Sequence, residues 1–231
     1  MHVNKYNSMV NDIVAFVHAK GSSTRVPSKN LRILGDKPLF CHAIENAKNS
    51  KLVTKVVIDS DNEEILRIGE SYGAIPLKRP AELATNLATG DDLAYWQASN
   101  CKGSSIVLQV IPTAPFLKSD SIDGAIQLLL NNPTVDSVAG VYEDALYRWE
   151  NGVPAYYKPD GTIPNSFEMG KVVYETTGLY LNYTRFVLEN RRRLNPHNCK
   201  PFLLSKIESV DINTMEDFEF AELLWKGMHK S

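Results

Sequence analysis

The stretch VAFVHAKGSSTRVPSKN, residues 14–30, decides the fold of this chain because it joins a buried strand to a cationic loop. An apolar run ends in glycine, serine and threonine residues, among which lie the separated cations Lys20, Arg25 and Lys29. Small side chains let backbone N–H groups approach phosphate oxygens, and cations neutralise phosphate charge. The pattern predicts a polyphosphate site. A polar loop whose cations are only solvated is the alternative interpretation.

This loop matches neither of two common nucleotide-binding patterns. It has no G-K-[ST] at the spacing of a Walker loop. It also lacks the G-x-G-x-x-G of dinucleotide-binding folds. The loop therefore indicates another class of nucleotide binder.

Length and composition favour an ordinary globular enzyme domain. The 231 residues predict a single domain over 1–231, and the formal net charge of −2 gives no general attraction to nucleic acid. Three cysteines without a C-x-x-C pair argue against a zinc site or a disulfide framework. No apolar run has the length of a membrane span, and the first eleven residues lack the apolar core of a signal peptide. We expect a cytoplasmic protein without nucleic-acid or membrane partners.

Strand and helix patterns alternate along most of the chain. Predicted strands cover residues 13–18, 53–59, 74–77, 105–110, 137–141, 172–182 and 202–211. Predicted helices cover residues 39–47, 62–71, 91–100, 121–131, 185–190 and 214–226. This order predicts an α/β fold of Rossmann-like, three-layer type: a mostly parallel twisted sheet with helices on both faces.

Residues 142–172 interrupt that order. The segment is rich in Tyr, Pro, Gly and Asn and has no clear period. This composition predicts an inserted arm, which serves either as a lid over a ligand or as a dimer contact.

Polar residues follow several of the predicted strands. In an open parallel sheet, ligands bind outside the carboxyl ends of the strands. That rule gathers the first loop, Asp59 with Asp61, Arg79, Gln109 and Asp211 at one edge. Cations for phosphates beside a carboxylate for magnesium suit phosphoryl or nucleotidyl transfer.

Several of these residues also have purely structural interpretations. Asp61 could cap the following helix, and Gln109 and Asp211 could be loop hydrogen-bonders. The cysteines, His18 and His42 lack companions at ligand spacing and suit packing or surface positions. The basic run 191–193 suits a solvated helix end better than a binding patch.

Five motifs in order carry a resemblance to a known family. HAKGSSTRVPSKN (18–30) resembles P-A-R-x-G-S-K-x-x-P-x-K-N, and VVIDSDNEEI (56–65) resembles V-S-T-D-x-x-x-I. LKRPAELATNLAT (77–89) resembles L-R-P-x-E-L-A-x-D-x-A. LQVIPTAPF (108–116) resembles L-Q-P-T-S-P-L with an insertion, and VDINTMEDFEFAE (210–222) resembles I-D-I-D-T-x-x-D. Together they resemble the acylneuraminate cytidylyltransferases, which have the nucleotide-diphospho-sugar transferase fold.

The resemblance implies transfer of CMP from CTP to the anomeric hydroxyl of a sialic-acid-like sugar acid. It implies a Mg²⁺ cofactor, CTP and a sugar acid as partners, and a homodimer. The implied catalytic residues are Lys20, Lys29 and Asp211. The implied nucleotide-binding residues are Lys20, Gly21, Ser22, Arg25, Lys29, Asn30, Arg79 and Gln109. The sugar would meet Gln109, Tyr174 and Thr177, and the metal would meet Asp211 and Asn213.

The chain departs from the family pattern at four positions. Lys20 stands where the family has arginine, and Asn86 and Asn213 stand where it has aspartate. The arginine that meets the sugar carboxylate corresponds to Tyr174. Nucleotide recognition therefore looks retained and sugar recognition altered, with Arg148 or Lys158 of the arm as candidate replacements for the lost guanidinium. A nucleotidyltransferase for another sugar or a polyol, and a catalytically degenerate nucleotide-binding subunit, remain as alternatives.

Overall fold

The computed structural model describes residues 12–155, 161–165, 167–168 and 170–229. The strands are β1 (Ile13–His18), β2 (Ile33–Leu34), β3 (Lys37–Pro38), β4 (Lys55–Ser60), β5 (Ile75–Lys78), β6 (Ile106–Val110), β7 (Ser137–Asp144), β8 (Trp149–Glu150), β9 (Val153–Pro154), β10 (Val172–Tyr183) and β11 (Cys199–Leu203). The helices are α1 (Leu39–Lys48), α2 (Glu63–Ser71), α3 (Gly90–Ser99), α4 (Ser119–Leu130), α5 (Thr184–Asn190) and α6 (Met215–Met228).

Seven strands form one mixed sheet in the order β11-β7-β10-β6-β1-β4-β5. Neighbouring strands are parallel except at β10, which runs antiparallel to both β6 and β7. The predicted three-layer, mostly parallel α/β fold is therefore confirmed. The carboxyl ends of β1, β4 and β6 meet at one edge of the sheet, where the polar loops begin.

The central strand β1 is buried on both of its faces, as its unbroken apolar run predicts. Val14 and Phe16 pack in the cluster that contains Ala94 and Ala98 of α3. Ala15 and Val17 belong to the main core on the other face, with side chains of α1, α2 and α4. Helices thus pack on both faces of the sheet, and the polar loops emerge at its carboxyl edge.

Side-chain caps fix the starts of the helices nearest this edge. Asn62, and not Asp61, caps α2, because its side chain accepts from the backbone N–H groups of Glu64 and Ile65. The capping box predicted from Thr214 and Asp217 is present at the start of α6.

The predicted strand over residues 202–211 is wrong beyond Leu203. Residues 206–209 form a turn, which the buried carboxylate of Glu208 organises. Glu208 accepts from Ser205 N and Ser205 Oγ, and also from Lys118 N at the start of α4. These local bonds give the backbone an alternative to sheet pairing. Asp211 therefore follows a turn and does not end a strand.

The segment around residues 142–172 is partly strand. β7 continues to Asp144, β8 and β9 form a hairpin, and β10 begins at Val172. Residues 156–160, 166 and 169, including Lys158, lie outside the described residues. Among the helices of the described ranges, none has the length and apolar character needed to cross a membrane.

Candidate active site

A cavity of about 370 Å³ opens at the carboxyl edge of the sheet. Six residues predicted from the sequence line it together: Lys20, Ser22, Arg25, Lys29, Asn30 and Arg79. Ile111 to Thr113, which follow β6, and residues of the 83–88 loop complete the lining. The volume is near the lower end of the range of small-molecule sites, about 300–1,000 Å³. The cavity therefore has the size of a small-molecule site.

The first loop is held in shape by bonds across its base. Val26 is fully buried and anchors its middle. Asn30 donates through Nδ2 to Lys20 O at 2.8 Å, which ties the two ends of the loop together. Gly21 N donates to Asp61 Oδ1 at 2.9 Å, and a Cβ on Gly21 would fall 2.7 Å from Cβ of Asn62. Asp61 thus supports the loop, and only glycine fits at position 21.

Two departures from the family pattern contact each other. Lys20 Nζ donates to Asn86 Oδ1 at 2.6 Å, and both residues line the cavity. A lysine–asparagine pair leaves one net positive charge where an arginine–aspartate pair would leave none. The two changes together therefore keep this wall of the cavity cationic.

Lys29 connects the first loop to the segment that carries Asp211. Its Nζ donates to Ile212 O at 2.8 Å, and Ile212 N in turn donates to Thr113 O at 2.9 Å. Burial lowers the pKa of Lys29, and the attraction of Asp211 opposes part of that shift. Lys29 thus brings a partly desolvated cation to the side of the cavity nearest Asp211, where its charge acts more strongly than in water.

A buried polar chain lies beneath the cavity on the α3 side. Arg79 donates from Nε to Asp59 Oδ1 at 2.9 Å and from Nη2 to Asp59 O at 2.9 Å. Gln97 donates to Asp59 Oδ2, and Gln109 donates to Gln97 Oε1. Arg79 is therefore fixed as part of the wall, and Asp59 is already committed to it.

Gln109, a predicted nucleotide and sugar contact, is not among the described residues that line the cavity. It is 2% exposed on β6, and its Oε1 has no hydrogen-bond partner in the described structure. Tyr180 of β10 is its cross-strand neighbour. Gln109 thus lies in the layer beyond the cavity, with one acceptor atom unused.

Asp211, Asn213 and Thr177 come together at the far side of Lys29. Asn213 Nδ2 and Thr177 Oγ1 donate to Asp211 Oδ2 at 2.6 and 3.2 Å. Thr177 reaches Asp211 because β10 bulges between Glu175 and Tyr180 and Thr177 has a left-handed backbone, with φ of 58°. The other carboxylate oxygen, Asp211 Oδ1, is buried and has no hydrogen-bond partner among the residues that the structure describes.

This group fits a magnesium ion that is shared with a substrate. The described residues contain no cluster of three or more His, Cys, Asp or Glu side chains arranged for a metal. Mg²⁺ commonly uses only one or two protein carboxylates together with substrate phosphates and water. The unpartnered Oδ1 of Asp211 and the amide oxygen of Asn213 suit that mode.

The residues proposed for the sugar carboxylate are dispersed. Tyr174 is half-buried in β10 opposite Tyr142 of β7, and it is not among the described residues that line the cavity. Arg148 forms an ion pair with Glu150. Neither of these residues therefore offers an uncommitted cation beside the cavity.

Two residues that the sequence interpretation assigned to packing or solvent have other surroundings in the structure. His18 lines the cavity, and burial, followed by the charges of Arg79 and Arg193, lowers its pKa to about 3. It is therefore neutral at pH 7. Arg193 lies over the ring of Tyr180, with Cζ 4.1 Å from the ring centroid. The predicted solvated helix end describes Arg191, the C-cap of α5, and Arg192, which are both exposed, whereas Arg193 is packed against Tyr180.

His18 and Arg193 differ in whether the sequence could have predicted their positions. His18 ends the first strand, so the rule that ligands bind at strand ends could have included it. Arg193 has no such signal, because its backbone N–H donates to Asp91, which is 102 residues away in the sequence.

Comparison with known proteins agrees with this architecture. The solved structure of a CMP:2-keto-3-deoxy-manno-octonic acid synthetase in complex with CTP aligns with a TM-score of 0.70 at 14% identity, covering 94% of this chain and 99% of that one. The described chain therefore has the nucleotide-diphospho-sugar transferase fold.

Sequence relatives are similar along almost their whole length. A pseudaminic acid cytidylyltransferase from Campylobacter jejuni is 27% identical, over 94% of this chain and 98% of the relative. A CMP-N,N'-diacetyllegionaminic acid synthase from Legionella pneumophila is 30% identical, over 92% and 95%. The family model described as cytidylyltransferase matches residues 14–162, more than half of the chain. By both its fold and its sequence, this chain is a nucleotidyltransferase that belongs to the cytidylyltransferase family.

Proposed function

We propose that this protein transfers CMP from CTP to the anomeric hydroxyl of a sialic-acid-like sugar acid and releases pyrophosphate. The observation that carries the proposal is the cavity at the carboxyl edge of the sheet, which Lys20, Arg25 and Lys29 of the first loop line together. Relatives that act on pseudaminic and legionaminic acids match the chain from end to end, which supports this class of acceptor.

In the proposed reaction, the anomeric oxygen forms a bond to the α-phosphorus of CTP. The bond from that phosphorus to the bridging oxygen breaks, pyrophosphate leaves with the electron pair, and the hydroxyl proton is released. No covalent intermediate with the protein is needed, so catalysis consists of positioning and charge neutralisation. The three loop cations hold the triphosphate, while Gly21, Ser22, Asn30, Arg79 and Gln109 shape the nucleotide site.

Asp211 and Asn213 would hold Mg²⁺. When bound, the ion neutralises charge that develops on the phosphate oxygens. Asp211 supplies the only charge of this pair, since the amide of Asn213 can ligate but is neutral. Lys29 lies beside Asp211 and adds a second cationic contact for the same phosphates.

The acceptor is proposed to lie beyond the cavity, over β10. Thr177 contacts Asp211, and Gln109 is the cross-strand neighbour of Tyr180. Gln109, Tyr174 and Thr177 are our candidates for sugar contacts. Because Tyr174 cannot provide a guanidinium, we expect the acceptor to differ from N-acetylneuraminate in its decoration or in its position.

A catalytically degenerate nucleotide-binding subunit is the second candidate. Asn213 favours it, because the second metal carboxylate of the family pattern is missing. The unpartnered carboxylate oxygen of Asp211 and the cationic loop favour the active enzyme.

We further propose a cytoplasmic homodimer, with residues 142–172 in the contact. Large apolar side chains are exposed there: Trp149 is 60% exposed and Phe167 is 82% exposed. Exposed aromatic residues are enriched at protein interfaces. Sedimentation that shows a monomer at micromolar concentration would contradict the proposed dimer. Residues 142–172 would then be interpreted as a lid.

Pyrophosphate release tests the function directly. The assay would offer CTP, ATP, GTP and UTP in turn, with magnesium and with pseudaminic or N,N'-diacetyllegionaminic acid. We expect strong preference for CTP, and activity that is lost when magnesium is chelated. Equal pyrophosphate release from ATP or UTP would contradict the proposed cytidylyltransferase activity. Stabilisation of the protein by CTP without turnover of any sugar acid would favour the degenerate subunit.

A further inference from the structure

Arg193 fills a gap between β10 and the start of α3. Its Cζ lies 4.1 Å from the centroid of the Tyr180 ring, a cation–π contact. On the other side, a Cβ added to Gly90 would fall 2.5 Å from Arg193 Nη1. The guanidinium is thus enclosed by a ring from the sheet and a glycine backbone from the helix.

The backbone of Arg193 is clamped from the same two elements. Arg193 N donates to Asp91 Oδ1 of α3 at 2.9 Å. Arg193 O accepts from Asn182 Nδ2 of β10 at 2.7 Å. The position of the side chain is therefore set by the fold, unlike that of Arg192, which is exposed one residue earlier.

The Arg193 side chain has no anionic partner. Within the described ranges no carboxylate pairs with it and no acceptor takes a hydrogen bond from it, although a guanidinium has five N–H donors. Arg79, the other enclosed arginine near the site, is paired with the carboxylate of Asp59. Arg193 is therefore a preorganised cation that lacks an anion.

The surroundings of Arg193 belong to the edge beyond the cavity. Its charge is close enough to His18, on the cavity wall, to contribute to the lowered pKa of that imidazole after burial and Arg79. Tyr180, under the guanidinium, is the cross-strand neighbour of Gln109, whose buried Oε1 is unpartnered. This layer thus contains a cation that suits a carboxylate, next to a strand whose Gln109 acceptor atom is buried.

The triphosphate has its own cations on another wall. Lys20, Arg25 and Lys29 all come from the first loop and line the cavity, whereas Arg193 is not among the described residues that line it and lies over Tyr180 of β10. An anion held by Arg193 would therefore belong to the second substrate. Arg148 is paired with Glu150, and Tyr174 carries no charge, so neither competes for this role.

We propose that Arg193 binds the carboxylate of the sugar-acid acceptor and so determines its specificity, an inference that rests on the proposed function. A planar guanidinium can give a carboxylate two charge-assisted hydrogen bonds. Arg193 thereby takes the part that the arginine at the position of Tyr174 plays in the family pattern, but from a different side of the acceptor.

The test pairs a change in the enzyme with a change in the substrate. Wild type and Arg193→Ala would be assayed with CTP and pseudaminic or N,N'-diacetyllegionaminic acid, whichever wild type turns over faster, and with its carboxamide. We expect Arg193→Ala to raise the KM for the acid at least about tenfold. Wild type should prefer the acid over the amide by a similar factor, and the variant should not.

Controls separate this role from a general structural one. Arg192→Ala removes a charge from the same run and should leave both KM values unchanged. Arg193→Lys keeps the charge without the planar fork and should restore part of the preference for the acid. It also provides the readout if Arg193→Ala does not fold. CTP binding, measured by calorimetry, should be the same in wild type and both Arg193 variants.

Two results would overturn the proposal. One is an unchanged preference for acid over amide in both Arg193 variants. The other is a tenfold weaker CTP binding with no change in the KM for the acid, which would make Arg193 a nucleotide contact. The assay of the wild-type protein tests the proposed function separately. If the wild type turns over no sugar acid, the proposed function is contradicted before any Arg193 variant is compared.

Discussion

The two sides of the site are built in different ways. The nucleotide side is built around one loop, residues 20–30, which follows β1 and is tied at its base by the bond from Asn30 to Lys20. Arg79 and Asn86 complete its lining. The acceptor side is assembled from β10, the Asp211 segment and Arg193, which meet only in the folded chain. Local assembly keeps the nucleotide side recognisable in sequence, whereas distributed assembly leaves the acceptor side free to change.

The departures from the family pattern follow this division. On the nucleotide side, Lys20 and Asn86 change together and remain in contact, so the wall stays cationic. On the acceptor side, Asn213 and Tyr174 each stand where the family pattern has a charged residue. The comparison therefore predicts ordinary CTP recognition and unusual acceptor recognition, and each experiment below can break or sharpen it.

The largest expected effect is at Asp211. Asp211→Asn removes the only carboxylate of its group and should lower kcat at least about a hundredfold, the scale of losing one electrostatic catalytic group. Steady-state pyrophosphate release at saturating CTP and sugar acid measures this. The matched change, Asn213→Asp, adds a carboxylate and should be tolerated or tighten magnesium. Activity of Asp211→Asn within threefold of wild type would show that this residue does not hold the metal.

The next effect is on the first loop. Arg25→Ala and Lys29→Ala should each lower kcat/KM for CTP at least tenfold, about 1.4 kcal/mol of transition-state stabilisation. Lys29→Ala should also loosen the Ile212 contact, so it should affect kcat as well. Arg67→Ala, on the exposed face of α2, is the control for loss of a surface charge. Unchanged kinetics in both loop variants would mean that the loop cations are only solvated.

The sequence was most informative where structure is local. The strand over residues 13–18 was predicted to the residue because an apolar run at a sheet centre must be buried on both faces. The Thr214 capping box could likewise be predicted from the sequence, since its bonds span three residues. The bond between Glu208 and Lys118 and the clamp on Arg193 could not be predicted, because the two residues of each bond lie 90 and 102 residues apart in the chain.

The same reasoning explains the partial success at the site. Gln109 was placed on the correct strand, but its burial depends on Gln97 of α3, which no motif marks. Thr177 reaches Asp211 only because β10 bulges, and a bulge changes which face a side chain occupies.

The smallest effect concerns His18, where the two sides meet. Its pKa is about 3 in the folded protein and about 6.5 in an unfolded chain. Between those values the unfolded state binds a proton that the folded state does not, so stability falls as pH falls below about 6.5. From pH 7.5 to 5, we expect wild type to lose about 1–2 kcal/mol more than His18→Gln in the free energy of unfolding. Urea denaturation curves of both proteins at both pH values measure this difference. Equal losses of unfolding free energy in wild type and His18→Gln would mean that His18 is solvated.

The most direct test of the whole account is the choice of acceptor by the wild-type enzyme. Steady-state kinetics with CTP would compare N-acetylneuraminate with pseudaminic and N,N'-diacetyllegionaminic acids, and would repeat the first sugar on Tyr174→Arg. We predict a KM for CTP that does not depend on the acceptor, a kcat/KM for N-acetylneuraminate below about 10⁴ M⁻¹s⁻¹, and a gain with Tyr174→Arg. Turnover of N-acetylneuraminate by wild type above that value, with no gain from Tyr174→Arg, would contradict the claim that the acceptor side has changed while the nucleotide side has not.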